Sequence, residues 1–285
     1  MRRALNVTAA AGAAAGAAAA ASYAAPSVAR LLPPRWRATP RLSGLGRPGH
    51  VALTFDDGPD PTSTPAVIDA LGALGWTATF FCLGPMVSAA GALTAELASI
   101  GHEVAVHGWS HEGAIRRTPA ALVDDVRRCR DVIAEATGTP PRWYRPPFGE
   151  LSVGSLLAAR ALDLRVVLWT AWGRDWRAEA TPASVVADVA RGVVPGGTVL
   201  LHDSDCTSAP ASWRITVGAL PLLAELFAGL GLEVGPLRDH GLEVGPHRDH
   251  GLEVGPAPRP RRRAGALDHG TPGRRDIEHG TGRTR

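Results

Sequence analysis

Short apolar runs alternate with longer amphipathic stretches between residues 51 and 234, a pattern typical of alternating strands and helices. The predicted strands are Val51–Phe55, Thr77–Leu83, Glu103–His107, Arg142–Arg145, Arg165–Trp169, Thr198–His202 and Leu232–Val234. The predicted helices between them are Thr64–Leu74, Ser88–Ile100, Pro119–Thr137, Leu151–Leu162, Pro182–Arg191 and Ile215–Leu230. Strict alternation favours βα units and a parallel sheet. We therefore predict an α/β fold, a distorted parallel (β/α)7 barrel, with an open doubly wound sheet as the alternative.

Charge divides this middle region from the two ends of the chain. Residues 1–50 carry a net charge of +7 and residues 256–285 carry +5, whereas residues 51–255 carry −9. A phosphate-binding face needs clustered cations, so the acidic middle argues against nucleic-acid binding.

The N-terminal residues have the pattern of an export leader, because two arginines precede a long uncharged run rich in alanine. We predict a signal peptide or N-terminal membrane anchor over residues 1–29 and a Pro- and Arg-rich linker over residues 30–49. This leader predicts a protein that is secreted or membrane-anchored on the extracytoplasmic side. An alanine-rich disordered leader is the alternative.

A ten-residue repeat begins where the predicted fold ends. The sequence Gly-Leu-Glu-Val-Gly-Pro starts at Gly231 and recurs at Gly241 and Gly251. The first copy follows a helix and is predicted to supply the last strand, so the catalytic domain is expected over residues 50–235. Residues 236–285 are predicted to be surplus repeats and a disordered basic tail. A metal-binding tail that uses His240 and His250 is the alternative. We expect the protein to be a monomer.

The three cysteines, Cys82, Cys129 and Cys206, have no C-x-x-C spacing. This spacing predicts neither a zinc motif nor a disulfide framework. We interpret them as small buried side chains, with one disulfide as the alternative in an exported protein.

Polar residues stand out at the ends of the predicted strands. They are Asp56, Asp57, His107, His111, Arg145, Asp175, His202 and Asp203. In parallel α/β barrels the carboxyl ends of the strands form the active site. Residues spread over nearly 150 positions are therefore expected to converge on one mouth.

A carboxylate with two imidazoles is a common catalytic zinc set that leaves a coordination position open for water. His107 and His111 are spaced to approach one ion, and either Asp56 or Asp57 can supply the carboxylate. The other aspartate then faces the bound water as a base. The structural alternatives are a surface histidine pair and a simple Asp-Asp-Gly-Pro turn.

A hydrolase also needs an acid for its leaving group, and His202 at another strand end is the candidate. A carboxylate has to orient it and support its charge, which Asp175 can do. Asp203 competes for this role or caps the following segment. Arg145 is expected to pair with the base. The alternative is that Arg145-Pro-Pro-Phe-Gly149 is only the loop in which the predicted strand ends.

Together, these residues resemble the five motifs of the polysaccharide deacetylase family, also called the NodB homology or carbohydrate esterase 4 group. In chain order the motifs are Thr54-Phe-Asp-Asp-Gly-Pro59, His107-Gly-Trp-Ser-His111, Arg145-Pro-Pro-Phe-Gly149, Asp175-Trp176 and Leu200-Leu-His-Asp203. The order and the approximate spacing match over residues 50–235. Family members often have Tyr where Phe148 stands, and the stretch before Asp175 is less regular.

The resemblance implies a role for each of ten residues. Asp56 would be the catalytic base, with Arg145 as its partner, and His202 would be the general acid, supported by Asp175. The metal ligands would be Asp57, His107 and His111. The backbone N–H of Phe148 would donate to the oxyanion, and Trp176 and Leu200 would form the pocket for the acetyl methyl. The implied cofactor is a divalent metal, zinc first, with cobalt or manganese as alternatives.

The implied activity is metal-assisted removal of N-acetyl groups from the amino sugars of peptidoglycan or a chitin-like polysaccharide, with release of acetate. The expected partner is therefore an N-acetylated glycan. An O-acetyl esterase of the same fold shares this chemistry and stays open as an alternative. A non-catalytic glycan-binding protein would be expected to lack Asp56 or His202. A phosphate-binding domain would need a Gly-rich loop in place of Asp56-Asp57-Gly-Pro.

Overall fold

Eight parallel strands form the central sheet in a computed structural model that describes residues 15–31 and 41–242. The strands are β1 (His50–Asp56), β2 (Thr79–Leu83), β3 (Glu103–Gly108), β4 (Trp143–Tyr144), β5 (Arg165–Val166), β6 (Ala171–Trp172), β7 (Thr198–His202) and β8 (Glu233–Gly235). Their order is β5-β4-β3-β2-β1-β7-β6, with β8 beside the start of β1. This order circles a barrel that stays open between β5 and β6, whereas a doubly wound sheet reverses at a switch point. The predicted distorted parallel (β/α)7 barrel is confirmed, with β6 as a strand that the sequence did not predict.

Of the eight α-helices in the described residues, the first precedes β1, and the other seven lie between strands and cover the outer face of the sheet. They are α1 (residues 15–24), α2 (Thr64–Ala73), α3 (Gly84–Ala89), α4 (Gly91–Ser99), α5 (Pro119–Thr137), α6 (Val153–Ala161), α7 (Pro182–Ala190) and α8 (Ser212–Gly229). One helix was predicted over Ser88–Ile100, but the structure has two. They meet at Ala90, whose φ of −130° and ψ of 43° leave the helical region.

Alternation along the strands separates an outer core from the barrel interior. On β1, Val51, Leu53 and Phe55 belong to the large cluster that packs against the helices. Ala52 belongs to a smaller cluster, as does Phe81 of β2. Because the side-chain period of a strand is two, Thr54 and Asp56 share the inner face with Ala52. The first motif therefore delivers its polar groups to the inside of the barrel.

Two of the three cysteines lie in the core. Cys82 and Cys129 are buried, and the Cys129 thiol lies 3.2 Å from the Cys82 carbonyl oxygen. Cys206 is exposed, in the loop after β7. All three thiols are free. The prediction of small buried side chains is therefore confirmed for Cys82 and Cys129 and is wrong for Cys206.

The fold extends further toward the N-terminus than the predicted start at residue 50. The Leu168 N–H donates to the Leu42 carbonyl at 2.8 Å, and the Thr198 hydroxyl donates to the Gly44 carbonyl at 2.7 Å. Leu168 follows β5 and Thr198 begins β7, so the segment before β1 connects the two sides of the opening in the barrel. The end of the predicted linker is therefore part of the domain.

The fold also extends beyond the predicted end at Gly235. Leu237, His240 and Leu242 are buried at the N-terminal end of the barrel. The Leu237 N–H donates to the Thr79 hydroxyl at 2.8 Å, at the start of β2. The first repeat and the first two residues of the second therefore supply β8 and a cap for the barrel, and the predicted tail begins no earlier than residue 243. The rest of the second repeat copy, the third copy and the basic tail lie outside the described residues.

Part of the predicted leader contacts the domain. The Tyr23 hydroxyl donates to the Arg117 carbonyl at 2.6 Å, and the Ser27 hydroxyl donates to the Leu151 carbonyl at 2.5 Å. Among the described residues, no helix combines the length and the apolar character that crossing a membrane requires. Residues 1–14 and 32–40, also covered by the leader and linker predictions, lie outside the described ranges.

Candidate active site

The predicted site residues meet at the carboxyl ends of the central strands. Asp56 ends β1 and pairs in register with His202, which ends β7. His107 lies near the end of β3, two strands from β1 on its other side. The parallel arrangement therefore brings three separate sequence motifs to one mouth, as predicted.

Asp57, His107 and His111 bring three potential ligand atoms together. The Asp57 Oδ1 atom lies 3.3 Å from His107 Nε2 and 3.2 Å from His111 Nε2. The three ligand atoms all lie within 4.8 Å of one another. It is the one group of this kind within the described parts of the chain. One carboxylate and two imidazoles form a donor set suited to zinc or a similar divalent ion.

Hydrogen bonds around these three residues orient their ligand atoms. His107 Nδ1 lies 2.8 Å from the Arg145 carbonyl oxygen. A carbonyl can only accept, so Nδ1 carries the proton and a neutral His107 presents the lone pair of Nε2 to the cluster. The Thr207 hydroxyl donates to Asp57 Oδ2 at 2.5 Å, which leaves Oδ1 for the cluster.

The electrostatics of the cluster favour an ionised Asp57. Burial by itself would raise the pKa of Asp57, but contacts with His107 and His111 hold it well below its usual value. Asp57 Oδ1 is buried and accepts no hydrogen bond from the described residues. A buried, anionic oxygen without a donor is costly unless a cation binds it.

Asp125 fixes the loop that carries His111. Its carboxylate accepts hydrogen bonds from the backbone N–H groups of Trp109 at 2.7 Å and Ser110 at 3.1 Å. Arg117 lies 2.7 Å from the same carboxylate. The sequence carried a signal for this residue, since Asp125 interrupts the apolar face of α5 between Leu122 and Val126.

Asp56 has a different set of neighbours from Asp57. Arg145 donates to Asp56 Oδ1 at 2.7 Å and to the Thr54 hydroxyl at 2.8 Å. The guanidinium is fully buried and lies 4.0 Å from the centre of the Phe81 ring. Asp56 Oδ2 lies 3.8 Å from His107 Nε2, so this carboxylate borders the cluster.

His202 is bound by Asp175 through one ring nitrogen, and its other ring nitrogen faces Asp57. Its Nδ1 lies 2.9 Å from Asp175 Oδ1, and its backbone N–H donates to Asp175 Oδ2 at 2.7 Å. The Thr216 hydroxyl on α8 also donates to Asp175 Oδ2 at 2.7 Å. Burial would lower the pKa of His202, but the Asp175 carboxylate, with smaller contributions from Asp57 and Asp56, outweighs it, and this pKa rises to about 10. His202 Nε2 lies 3.9 Å from Asp57 Oδ2, at the edge of the cluster.

Asp203, the competing candidate for the partner of His202, bonds elsewhere. It accepts from the Gly58 N–H at 3.2 Å and from the Thr64 hydroxyl at 2.5 Å. Burial raises its pKa to about 7 despite the Thr64 bond. Asp203 therefore supports the loop that follows Asp57.

Three residues of the mouth adopt left-handed backbone conformations. The φ angles are 80° at Asp57, 49° at His111 and 58° at Phe148. Such conformations are unfavourable for residues other than glycine and concentrate at functional sites. Phe148 is 56% exposed, and its ring centre lies 4.7 Å from that of His111.

Of the two predicted apolar pocket residues, Trp176 contacts His202, and Leu200 lies on the same strand as His202. The Trp176 ring packs edge-on against the His202 ring at 5.3 Å between centres. Leu200 lies two residues before His202 on β7, in register with Thr54 on β1. All ten predicted site residues therefore lie around the mouth. Sequence reasoning missed Thr207, Asp125 and Thr216, which act on the site through hydrogen bonds to its members.

This chain is similar to known proteins in sequence and in fold. The polysaccharide deacetylase family profile matches residues 44–167. A chitooligosaccharide deacetylase of Bradyrhizobium sp. (strain ANU 289) is 35% identical over 195 residues, which cover 66% of this chain and 88% of that relative. The family 4 carbohydrate esterase from Streptomyces lividans, solved in complex with acetate, has 32% identity and a TM-score of 0.59, with 66% of this chain and 92% of that chain covered.

A second solved structure, the Bc1960 peptidoglycan N-acetylglucosamine deacetylase, has 26% identity and a TM-score of 0.64, with 70% of this chain and 91% of that chain covered. Both the sequence and the fold therefore lead to one conclusion: the chain belongs to the polysaccharide deacetylase family and is a hydrolase of the carbohydrate esterase 4 type.

Proposed function

We propose that this enzyme is a divalent-metal-dependent hydrolase that removes N-acetyl groups from the amino sugars of a polysaccharide, peptidoglycan or a chitin-like polymer, and releases acetate. The similar proteins named as chitooligosaccharide and peptidoglycan N-acetylglucosamine deacetylases support this substrate class. The export-like leader of residues 1–29 supports action on the extracytoplasmic side.

The single observation that carries the proposal is the placement of the ligand cluster between two different proton-transfer groups. Asp56 borders the cluster through His107 at 3.8 Å, and His202 borders it through Asp57 at 3.9 Å. Hydrolysis of an amide needs a base for water and an acid for the departing amine. A structural ion site would need neither group.

Asp57, His107 and His111 would hold the ion, with zinc as the first candidate and cobalt or manganese as alternatives. They fit this role because Asp57 Oδ1 is buried without a donor and both imidazole Nε2 atoms converge on it. When bound, such an ion polarises the acetamide carbonyl and lowers the pKa of water to about 7.

Asp56 accepts the proton of the attacking water. Its ion pair with Arg145 at 2.7 Å fixes Oδ1, which leaves Oδ2 on the side of the ligand cluster. Arg145 is a positioning residue, since it is fully buried behind Asp56. The Phe148 backbone N–H donates to the oxyanion that develops on the substrate carbonyl.

His202 donates a proton to the departing amine. Asp175 raises its pKa to about 10 against the effect of burial, so the imidazole is protonated at neutral pH. Its Nδ1 is bound by Asp175, which leaves Nε2 to face the substrate. Thr216 in turn holds Asp175, so the acid has a fixed orientation.

Acetate release from a panel of glycans tests the proposal. The panel contains N-acetylglucosamine oligomers, peptidoglycan fragments and O-acetylated xylan, each assayed before and after chelation and after addition of zinc, cobalt or manganese. We expect acetate and an equal amount of new amine from an N-acetylated glycan, with activity lost on chelation and restored by metal. Release from acetylated xylan alone would identify an O-acetyl esterase, and activity in metal-free protein would contradict the metal role.

A further inference from the structure

Trp172 faces the interior of the barrel beside a predicted pocket residue. Its neighbour on β6, Ala171, pairs with Val199 in the outer core, and Trp172 itself pairs with Leu200. Successive side chains of a strand point to opposite faces, so Trp172 shares the inner face with Leu200. Leu200 in turn pairs with Thr54, which lies one inward-facing position below Asp56.

The Trp172 ring is held between two other indoles. Its centre lies 5.3 Å from that of Trp176 and 5.9 Å from that of Trp169, with which it is stacked. The Arg174 guanidinium lies 4.8 Å from the same ring. Trp176 is the indole that contacts His202. Trp172 is therefore a rigid surface at the wall that leads to the proposed acid.

We propose that Trp172 is a specificity-determining residue that closes the acyl pocket against acyl groups longer than acetyl. The inference rests on the proposed N-deacetylase function, in which Trp176 and Leu200 border the acyl methyl. Trp172 adjoins both of them, one by ring packing and the other by strand register. Its bulk occupies the space that a longer acyl chain would need.

The chemistry of small pockets sets the size of the expected effect. One methylene more or less in an apolar pocket changes the specificity ratio by roughly 10- to 200-fold. Overfilling is resisted where the wall has no freedom to move, and three packed rings leave little freedom. A smaller side chain at position 172 would admit a propionyl group without altering the proton-transfer residues.

The experiment compares N-acetyl and N-propionyl derivatives of the same glucosamine oligomer. The amine released by hydrolysis is measured for wild type, Trp172→Ala, Trp172→Leu and the control Trp169→Phe. We expect the propionyl-to-acetyl ratio of kcat/KM to rise at least about 10-fold in Trp172→Ala, and to rise less in Trp172→Leu. In the control the ratio is expected to stay within twofold, since a phenyl ring at position 169 can keep the stacking on Trp172 and position 169 does not pair with Leu200.

The outcomes separate this inference from the function on which it rests. If wild type releases amine from the acetyl substrate while both Trp172 variants keep its ratio, the size-limit role is wrong and the N-deacetylase function stands. If wild type releases amine from neither substrate, both are wrong. If Trp172→Ala does not fold, the ratio in Trp172→Leu decides, and an unchanged ratio there overturns the inference.

Discussion

The carboxylates of the consecutive residues Asp56 and Asp57 are bound by different partners. Arg145 donates to Asp56 at 2.7 Å, whereas the Thr207 hydroxyl donates to Asp57 at 2.5 Å and both His107 and His111 approach its other oxygen. The left-handed φ of 80° at Asp57 turns the chain sharply at this point. Although the two side chains are chemically identical, Asp57 belongs to the ligand cluster and Asp56 lies at its border.

We predict that Asn replacements separate these two roles. Asp57→Asn removes the only carboxylate of the ligand set and is expected to lower the metal content after dialysis. Asp56→Asn is expected to leave metal content near that of wild type and to lower turnover by roughly 10²–10⁴, the usual contribution of a positioned base. Elemental analysis and acetate release on the same preparations measure both quantities. A metal-free Asp56→Asn beside a metal-bound Asp57→Asn would reverse the assignments.

A second prediction concerns the acid. His202 is active when protonated, so activity is lost as pH rises through its pKa, which Asp175 raises to about 10 against the effect of burial. Asp175→Asn removes the anion and is expected to shift the alkaline limb of the kcat/KM profile to lower pH by at least about one unit.

Thr216→Val is the graded control for this prediction. It removes one of the hydrogen bonds to Asp175 but keeps the carboxylate, so its alkaline limb is expected to move less than that of Asp175→Asn. An Asp175→Asn enzyme with an unmoved alkaline limb would show that His202 is not the group that titrates there.

The sequence predicted the mouth better than it predicted the edges of the fold. The strand ends were readable because each motif follows an apolar run, and the register of Asp56 with His202 follows from parallel pairing. The strand β6 was missed because two residues, Ala171 and Trp172, carry too short a pattern to detect. Residues that position others were also missed, since the hydrogen bond from Thr207 to Asp57 spans 150 positions.

The predicted C-terminal boundary failed for a different physical reason. Residues 236–242 have no apolar period, so sequence analysis placed them in the tail. Leu237 and His240 are nevertheless fully buried, because this segment closes the open end of the barrel rather than forming a helix or strand face. Backbone bonds to side chains at the starts of β2 and β3 replace a regular ladder: Leu237 N–H to Thr79 and Arg238 N–H to Glu103.

Truncation tests this cap directly. A chain that ends after Leu242 retains every contact described here and is expected to keep the stability and activity of the full chain. A chain that ends after Gly235 loses the four buried residues Pro236, Leu237, His240 and Leu242, and removal of one buried leucine alone typically costs about 2–5 kcal/mol. We expect its melting temperature to fall by more than about 10 °C. Equal melting temperatures for the two truncations would show that the cap contributes nothing to stability.

The last prediction concerns a buried histidine pair that joins this cap to the start of β1. His50 Nδ1 and His240 Nδ1 are 2.7 Å apart, and His240 Nε2 lies 3.1 Å from the Gly44 carbonyl. The carbonyl requires a proton on His240 Nε2, so His240 Nδ1 accepts and His50 Nδ1 donates. This bond needs a neutral His240, because a protonated Nδ1 cannot accept, and protonation of the buried His50 adds an uncompensated charge beside it. Both ring nitrogens of His240 are therefore occupied by hydrogen bonds, which argues against the alternative of a metal-binding tail that uses this residue.

Acid is therefore expected to weaken the cap. Burial, with His240 as the next cause, lowers the pKa of His50 from 6.5 to about 4, and burial lowers the pKa of His240 as well. Arg47 also lowers both pKa values, while Asp239 and Glu233 oppose this at His50. A histidine with a lowered pKa in the folded state contributes stability that is complete above pH 6.5 and is lost as pH falls toward 4. At about 1.4 kcal/mol per pKa unit, His50 alone accounts for about 3 kcal/mol of this loss.

Urea unfolding at pH 7 and pH 4.5 measures the effect in wild type and in His50→Gln. The glutamine amide can still donate to His240 Nδ1 but does not titrate, so the loss of unfolding free energy between the two pH values is expected to be smaller in the variant. His102 is also buried, and burial, with Arg238 as the next cause, lowers its pKa to about 4. His102→Gln is therefore the matched control, because it removes a second buried histidine with a lowered pKa and leaves the bond between His50 and His240 in place. If His50→Gln loses as much stability as wild type on acidification, the pair is not the acid-sensitive element of the cap.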